Sequence, residues 1–77
     1  GKARAFIKNW RALGHEVNIK AAELASIFRR LPEYKGYPLW RTKWNFRITR
    51  IDLNVPYQVG NLEFWHNRSY VPVPDVS

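Results

Sequence analysis

Residues 34–53 read YKGYPLWRTKWNFRITRIDL, and the fold turns on how this run alternates. Trp44, Phe46 and Ile48 alternate with Asn45, Arg47 and Thr49, the period of two expected of a strand with one apolar face. Past Thr49 the phase flips: Ile51, Leu53 and Val55 are apolar, while Arg50, Asp52 and Asn54 are polar. Thr49 and Arg50 would then share the outer face, as one extra residue at a β-bulge arranges. Two short strands with a bend between them fit the same pattern. Either version places Trp44, Phe46, Ile48, Ile51 and Leu53 inside, and the bulge would aim Arg47 and Arg50 together off one face. The run also sets Lys35, Arg41, Lys43, Arg47 and Arg50 among Tyr34, Tyr37, Trp40, Trp44 and Phe46, with Asp52 its single acid. Cations interleaved with aromatics suit a polyanion whose bases can stack. A solvated cationic rim around an aromatic core is the plainer reading of the same residues.

Downstream, Pro56 interrupts the strand, and 57–61 reads as a turn centred on Gly60. Leu62–His66 is the expected returning strand of a hairpin, with Leu62 and Phe64 inward and Trp65 outward. The end, Tyr70-Val71-Pro72-Val73-Pro74, alternates valine and proline and is expected to be an extended, polyproline-like arm. Upstream, Pro32 to Pro38 is punctuation around Gly36, which takes an unusual backbone angle or lets a partner approach closely. Residues 1–13 place Ala3, Phe6, Ile7, Trp10 and Leu13 on one helical face and add Lys2, Arg4, Lys8 and Arg11 with no acid. Such a basic amphipathic helix lies against RNA or a membrane surface, or buries its stripe in a core, and it resembles a transit-peptide remnant short of serine. Gly14 ends it as a C-cap. Asn18 is the candidate N-cap of a second helix, 19–31, with Ala21, Leu24, Ala25, Phe28 and Leu31 as its stripe and Pro32 as its stop. Glu23 early and Arg29 and Arg30 late complement the helix dipole, which accounts for both arginines as well as phosphate contact would.

The expected fold is therefore α+β: one or two N-terminal helices packed on a small antiparallel β-hairpin, with an extended Pro-rich C-terminal arm. The 77 residues form a single small domain: helix 1–13, helix 19–31, hairpin region 41–66 and tail 67–77. A core of this size supplies only about 3–5 kcal/mol. No cysteine is present, so neither disulfides nor a cysteine-ligated zinc can add to it. His15 and His66 stand far apart without carboxylates at ligand spacing, so no metal is expected. Hydrophobic residues at 45% argue against intrinsic disorder. Thirteen Lys and Arg against six Asp and Glu give +7 and a pI near 10.3, a balance that favours nucleic acid, an anionic membrane surface or an acidic protein. No apolar run reaches the roughly 18 residues that span a bilayer. A start at Gly1 rather than methionine reads as a processed or trimmed product.

Catalytic constellations are not recognisable. Ser26, Ser69 and Ser77 have no glycine elbow, and no thiol stands in for them. Asp52 and Glu63 would face each other across the hairpin as no more than a solvated carboxylate pair. His66-Asn67-Arg68 matches a fragment of the His-Asn-His nucleases without its companions, and Asn67-Arg68-Ser69 fits a glycosylation sequon that chance often produces. No enzyme activity, cofactor or small-molecule substrate is expected.

The order of features Arg30-Leu31-Pro32, Gly36, Arg41-Thr42-Lys43-Trp44 and Phe46-Arg47-Ile48-Thr49-Arg50-Ile51 resembles a mitochondria-specific small-subunit ribosomal protein family, number thirty-four in that series. The match covers about residues 24–53, and the family's next run, His-Gly-Lys-aromatic-Gly, is replaced here by Gln58-Val59-Gly60-Asn61. A weaker likeness to the AP2-type DNA-binding sheet covers the same region. The ribosomal resemblance implies a noncatalytic structural constituent of the mitochondrial small subunit, packed on rRNA and neighbouring ribosomal proteins. A small DNA-binding module, regulatory or from a mobile element, and an accessory subunit of a mitochondrial membrane complex are the alternatives. Lys35, Arg41, Lys43, Arg47 and Arg50 are the candidate nucleic-acid ligands, and Tyr37 and Trp40 the candidate stacking residues. The reading is of a basic ridge on a small sheet that binds backbone rather than reading bases.

Overall fold

Burial at every third or fourth residue shapes the N-terminal helix. In the computed structural model, which describes residues 1–41 and 46–73, helix α1 (Lys2–Ala12) buries Ala3, Ile7 and Trp10 and leaves Arg4, Lys8 and Arg11 exposed. It stops where Gly14 adopts φ +88°. There the Gly14 N–H donates to the Arg11 carbonyl and the His15 N–H to the Trp10 carbonyl, both at 3.0 Å, the paired bonds of a Schellman cap.

Helix α2 (Ala21–Arg30) begins later than the sequence suggests, because Lys20 rather than Asn18 takes the N-cap position. Glu23 Oε1 reaches back to accept the Lys20 N–H at 2.9 Å, satisfying one orphan donor. Asn18 is occupied elsewhere: its N–H donates to the Tyr57 carbonyl at 2.8 Å and its side chain to Glu16 Oε2 at 3.1 Å. The backbone bond, with the Tyr57 N–H donating to the Glu16 carbonyl at 3.2 Å, makes a parallel bridge between Val17 and Tyr57 that ties the interhelical link to the far loop. At the other end Leu31 is extended (φ −68°, ψ 147°), the conformation that Pro32 imposes on the residue before it.

The punctuation after Pro32 is itself a hairpin. Strands β1 (Glu33–Tyr34) and β2 (Tyr37–Pro38) pair across Lys35 and Gly36, whose φ values of +52° and +81° are those of a two-residue I′ turn. A single 3₁₀ turn, Leu39–Arg41, follows. The main sheet has the order β3-β4-β5, built from β3 (Phe46–Arg50), β4 (Leu62–His66) and β5 (Ser69–Val71), antiparallel throughout. The expected antiparallel hairpin is thus present with a third strand added. Residues 67–71, expected in an extended arm, instead turn through Asn67 and Arg68 and return as β5, with Val71 buried. Residues 74–77 lie outside the described part.

The expected bulge at Thr49–Arg50 is absent from the β3–β4 pairing. Register runs without interruption from Phe46↔His66 to Arg50↔Leu62, so Arg47 and Arg50 project from opposite faces. After Arg50 the chain leaves the sheet, and Ile51 (59% exposed) and Leu53 (71% exposed) lie outside the core, against expectation. The physical reason is Asn61. This buried side chain accepts the Asp52 N–H and donates to the carbonyls of Asp52, Val55 and Pro56 at 3.0–3.1 Å. Once those carbonyls are gathered inward, residues 51–55 form a turn in which Ile51 to Asn54 are exposed and Val55 is half-buried. Asp52 caps that turn by accepting the Asn54 N–H and does not face Glu63, which pairs with Thr49.

Helices and sheet meet on aromatic rings. Phe6, Phe28, Phe46 and Phe64 contact one another at centroid separations of 5.7–6.3 Å, mostly edge to face. Trp10 lies flat on Tyr57 at 3.9 Å and 9°, joining α1 to the loop after β3. Leu24 and Phe64 are fully enclosed at the centre. Both helices therefore cover the β3–β4 face that carries Phe46, Ile48, Leu62 and Phe64, and Arg47, Thr49, Glu63 and Trp65 occupy the opposite one.

Candidate nucleic-acid interface

Pleat and register assemble a row on that opposite face. Trp65 is the cross-strand partner of Arg47 on one side and of Tyr70 on the other, so three side chains stand in line across the sheet. The Trp65 indole Nε1–H donates to Thr49 Oγ1 at 3.0 Å, which fixes the ring's orientation. Tyr70, 56% exposed, meets Trp65 edge to face at 5.6 Å and 76°. Arg47, Thr49, Trp65 and Arg68 line one cleft of about 400 Å³. Glu63 lies at the Thr49 end of the face, away from Arg68.

Arg68 reaches the cleft from the β4–β5 turn, where Asn67 and Arg68 both take positive φ, 50° and 67°. This is again an I′ turn, and asparagine suits its first position. Its second position normally carries glycine, because a Cβ there is strained. Arginine at this point sets a long cation over the sheet at a cost in backbone energy, the kind of local strain that concentrates at functional sites.

The sequence-derived candidates scatter. Lys35 sits exposed on the β1–β2 turn, its Nζ 5.4 Å from the Tyr34 ring centroid. Arg41 is exposed, with its guanidinium 5.1 Å from the Trp40 ring. Trp40 itself is half-buried and stacked towards Phe28 at 6.1 Å and 15°, so much of its surface is spent on the core. Tyr37 is 67% exposed and paired with Tyr34. Lys43, with Thr42, Trp44 and Asn45, lies outside the described residues. Arg47 stands in the outer row. Arg50 does not join it: its Nη1 donates to the Leu53 carbonyl at 3.0 Å and the Val55 carbonyl at 3.5 Å, and its guanidinium lies 5.0 Å from the Tyr57 ring. Arg50 thus holds the turn after β3.

Trp65 was legible as an outward residue from alternation alone. Arg68 and Tyr70 were not, because their stretch reads as a tail until Asn67-Arg68 is recognised as a hairpin turn. Arg4, Lys8, Arg11, Arg29 and Arg30 add exposed positive charge along the helices. Glu16, Glu23 and Asp52 accept hydrogen bonds from the Asn18 side chain and from the backbone N–H groups of Lys20 and Asn54. Among the described residues, no three His, Asp or Glu side chains are placed to hold a metal ion, and no helix is long and apolar enough to cross a membrane. No family model, curated protein or solved structure matches the chain.

Proposed function

We propose that this chain is a noncatalytic RNA-binding constituent of a ribonucleoprotein, with the small subunit of a mitochondrial ribosome as the particle that its resemblance points to. The observation that carries the reading is the convergence of Arg47 and Arg68 on one cleft of the sheet's open face, in a chain of net charge +7. Guanidinium groups offer phosphate oxygens a planar fork of donors, and two of them lining one cleft with Trp65 can hold a nucleic-acid backbone against the sheet. Exposed cations on α1 and α2 enlarge the field that attracts a polyanion. Exposed Ile51 and Leu53 supply the apolar contact through which a neighbouring protein of the particle would seat.

The test is equilibrium binding of the full chain to a folded ribosomal RNA fragment across a salt series. Each phosphate neutralised contributes roughly 0.7–0.9 to the slope of log affinity against log salt, so Arg47, Arg68 and the helical cations together give a slope of several units. A flat salt response refutes the proposal. Preference for duplex DNA over folded RNA in direct competition moves the chain to a DNA-binding role, and partition into anionic liposomes without nucleic acid moves it to a membrane complex.

A further inference from the structure

We infer that the outer face of the β3-β4-β5 sheet is a base-stacking platform for a short single-stranded segment of RNA, a specialisation that rests on the RNA-binding reading above. The helices cover one side of this sheet with phenylalanines, yet the other side also carries two large aromatics, Trp65 and Tyr70. Tyr70 is exposed and Trp65 half-buried, so both rings keep π-surface to offer, and an unpaired base is the partner that combines a flat apolar face with a phosphate charge. A duplex keeps its bases stacked on each other and withholds those faces.

The geometry is prepared for such a ligand. The bond from Trp65 Nε1 to Thr49 Oγ1 locks the indole before any partner arrives, which lowers the ordering cost of binding. Tyr70 stands at 76° to it, so the two rings present surfaces in different planes, suited to nucleotides splayed apart rather than stacked as in a helix. Arg47 and Arg68 line one cleft with the indole and supply donors there for the phosphates, while Glu63, the cross-strand partner of Thr49, marks the acidic end of the face. Tyr70 also lines a second cleft, of about 350 Å³, together with Tyr34, whose ring lies 5.4 Å from Lys35 Nζ.

Arg68 provides the sharpest test. Arg68→Gly removes the cation and at the same time relaxes an I′ position at φ +67°, so the hairpin is retained or stabilised. With a fluorescein-labelled short oligouridylate as probe, Arg68→Gly should weaken binding and reduce the salt slope by roughly 0.7, while the thermal midpoint holds or rises. Tyr70→Val and Trp65→Val keep strand-forming side chains but remove the rings, and each should weaken oligouridylate binding by roughly 5- to 100-fold. Thr49→Val, which frees the indole without changing shape, should weaken it less. The native chain should quench its tryptophan emission on binding, and the quench should shrink in Trp65→Val. A duplex RNA of the same length should compete poorly. Equal affinity for duplex and single strand, or Trp65→Val and Tyr70→Val variants that stay folded and bind the oligouridylate as tightly as the native chain, would overturn the platform. If folded RNA still binds with a steep salt response while oligouridylate does not, the platform is refuted and the RNA-binding proposal stands; if neither binds, both fall.

Discussion

Arg47 and Arg50 are three residues apart in sequence and alike in chemistry, yet alanine at each should produce opposite phenotypes. Arg50 bonds two backbone carbonyls, one at 3.0 Å and one at the 3.5 Å limit, and lies 5.0 Å from the Tyr57 ring centre. A hydrogen bond from a charged donor is worth about 1.5–3 kcal/mol, and two half-exposed bonds that share one nitrogen are together worth about half of one such bond, roughly 0.75–1.5 kcal/mol. The cation–π contact adds about 0.5–1 kcal/mol. Arg50→Ala should therefore cost about 2 kcal/mol, a large share of the 3–5 kcal/mol that a core of this size supplies. For a domain this small, 2 kcal/mol corresponds to a fall in Tm of roughly 8–16 °C. Arg47 projects from the other face, exposed, and Arg47→Ala should change stability by less than about 0.5 kcal/mol. Its effect should fall instead on RNA binding, as weaker affinity and a salt slope smaller by roughly 0.7–0.9. Thermal or urea unfolding followed by circular dichroism measures the first effect, and a salt-dependent binding titration the second. If Arg50→Ala melts like the native chain and loses RNA affinity, the assignment of roles on β3 is wrong.

Asn61→Ala removes the side chain that holds the carbonyls of Asp52, Val55 and Pro56, and should cost about 2–4 kcal/mol, enough to leave the chain partly unfolded at room temperature; a normal urea midpoint would show that the turn holds itself. Ile51→Thr and Leu53→Thr should each leave stability within about 0.5 kcal/mol of the native chain because both side chains are exposed, whereas Ile48→Ala in the core should cost about 2–5 kcal/mol. Equal losses at positions 48 and 51 would restore the strand to residues beyond Arg50.

The parts of this fold governed by neighbours three or four residues away, or by strict alternation, were open to inspection in the chain itself. The stripe on α1 as far as Trp10 (Leu13, expected on it, is exposed), the glycine that ends the helix, the stop at Pro32 and the inward Leu62 and Phe64 of β4 all follow from local periodicity and backbone restriction. So does the outward setting of Trp65. Net charge, read by counting, favoured polyanions and acidic surfaces as the expected partners. What local rules could not supply was the end of β3, because alternation continues past Arg50 and the residue that breaks it, Asn61, lies nine positions beyond Asp52. Arg50 changed from candidate ligand to structural brace for the same reason: its acceptors exist only once the turn has formed. The tail became a strand because Val71 gains more from burial beside Phe64 than from solvent, a gain visible only with β4 in place. The candidate site was therefore half legible, with Arg47 and Trp65 set by alternation, and Arg68 and Tyr70 brought to them by a turn that closes only against the finished sheet.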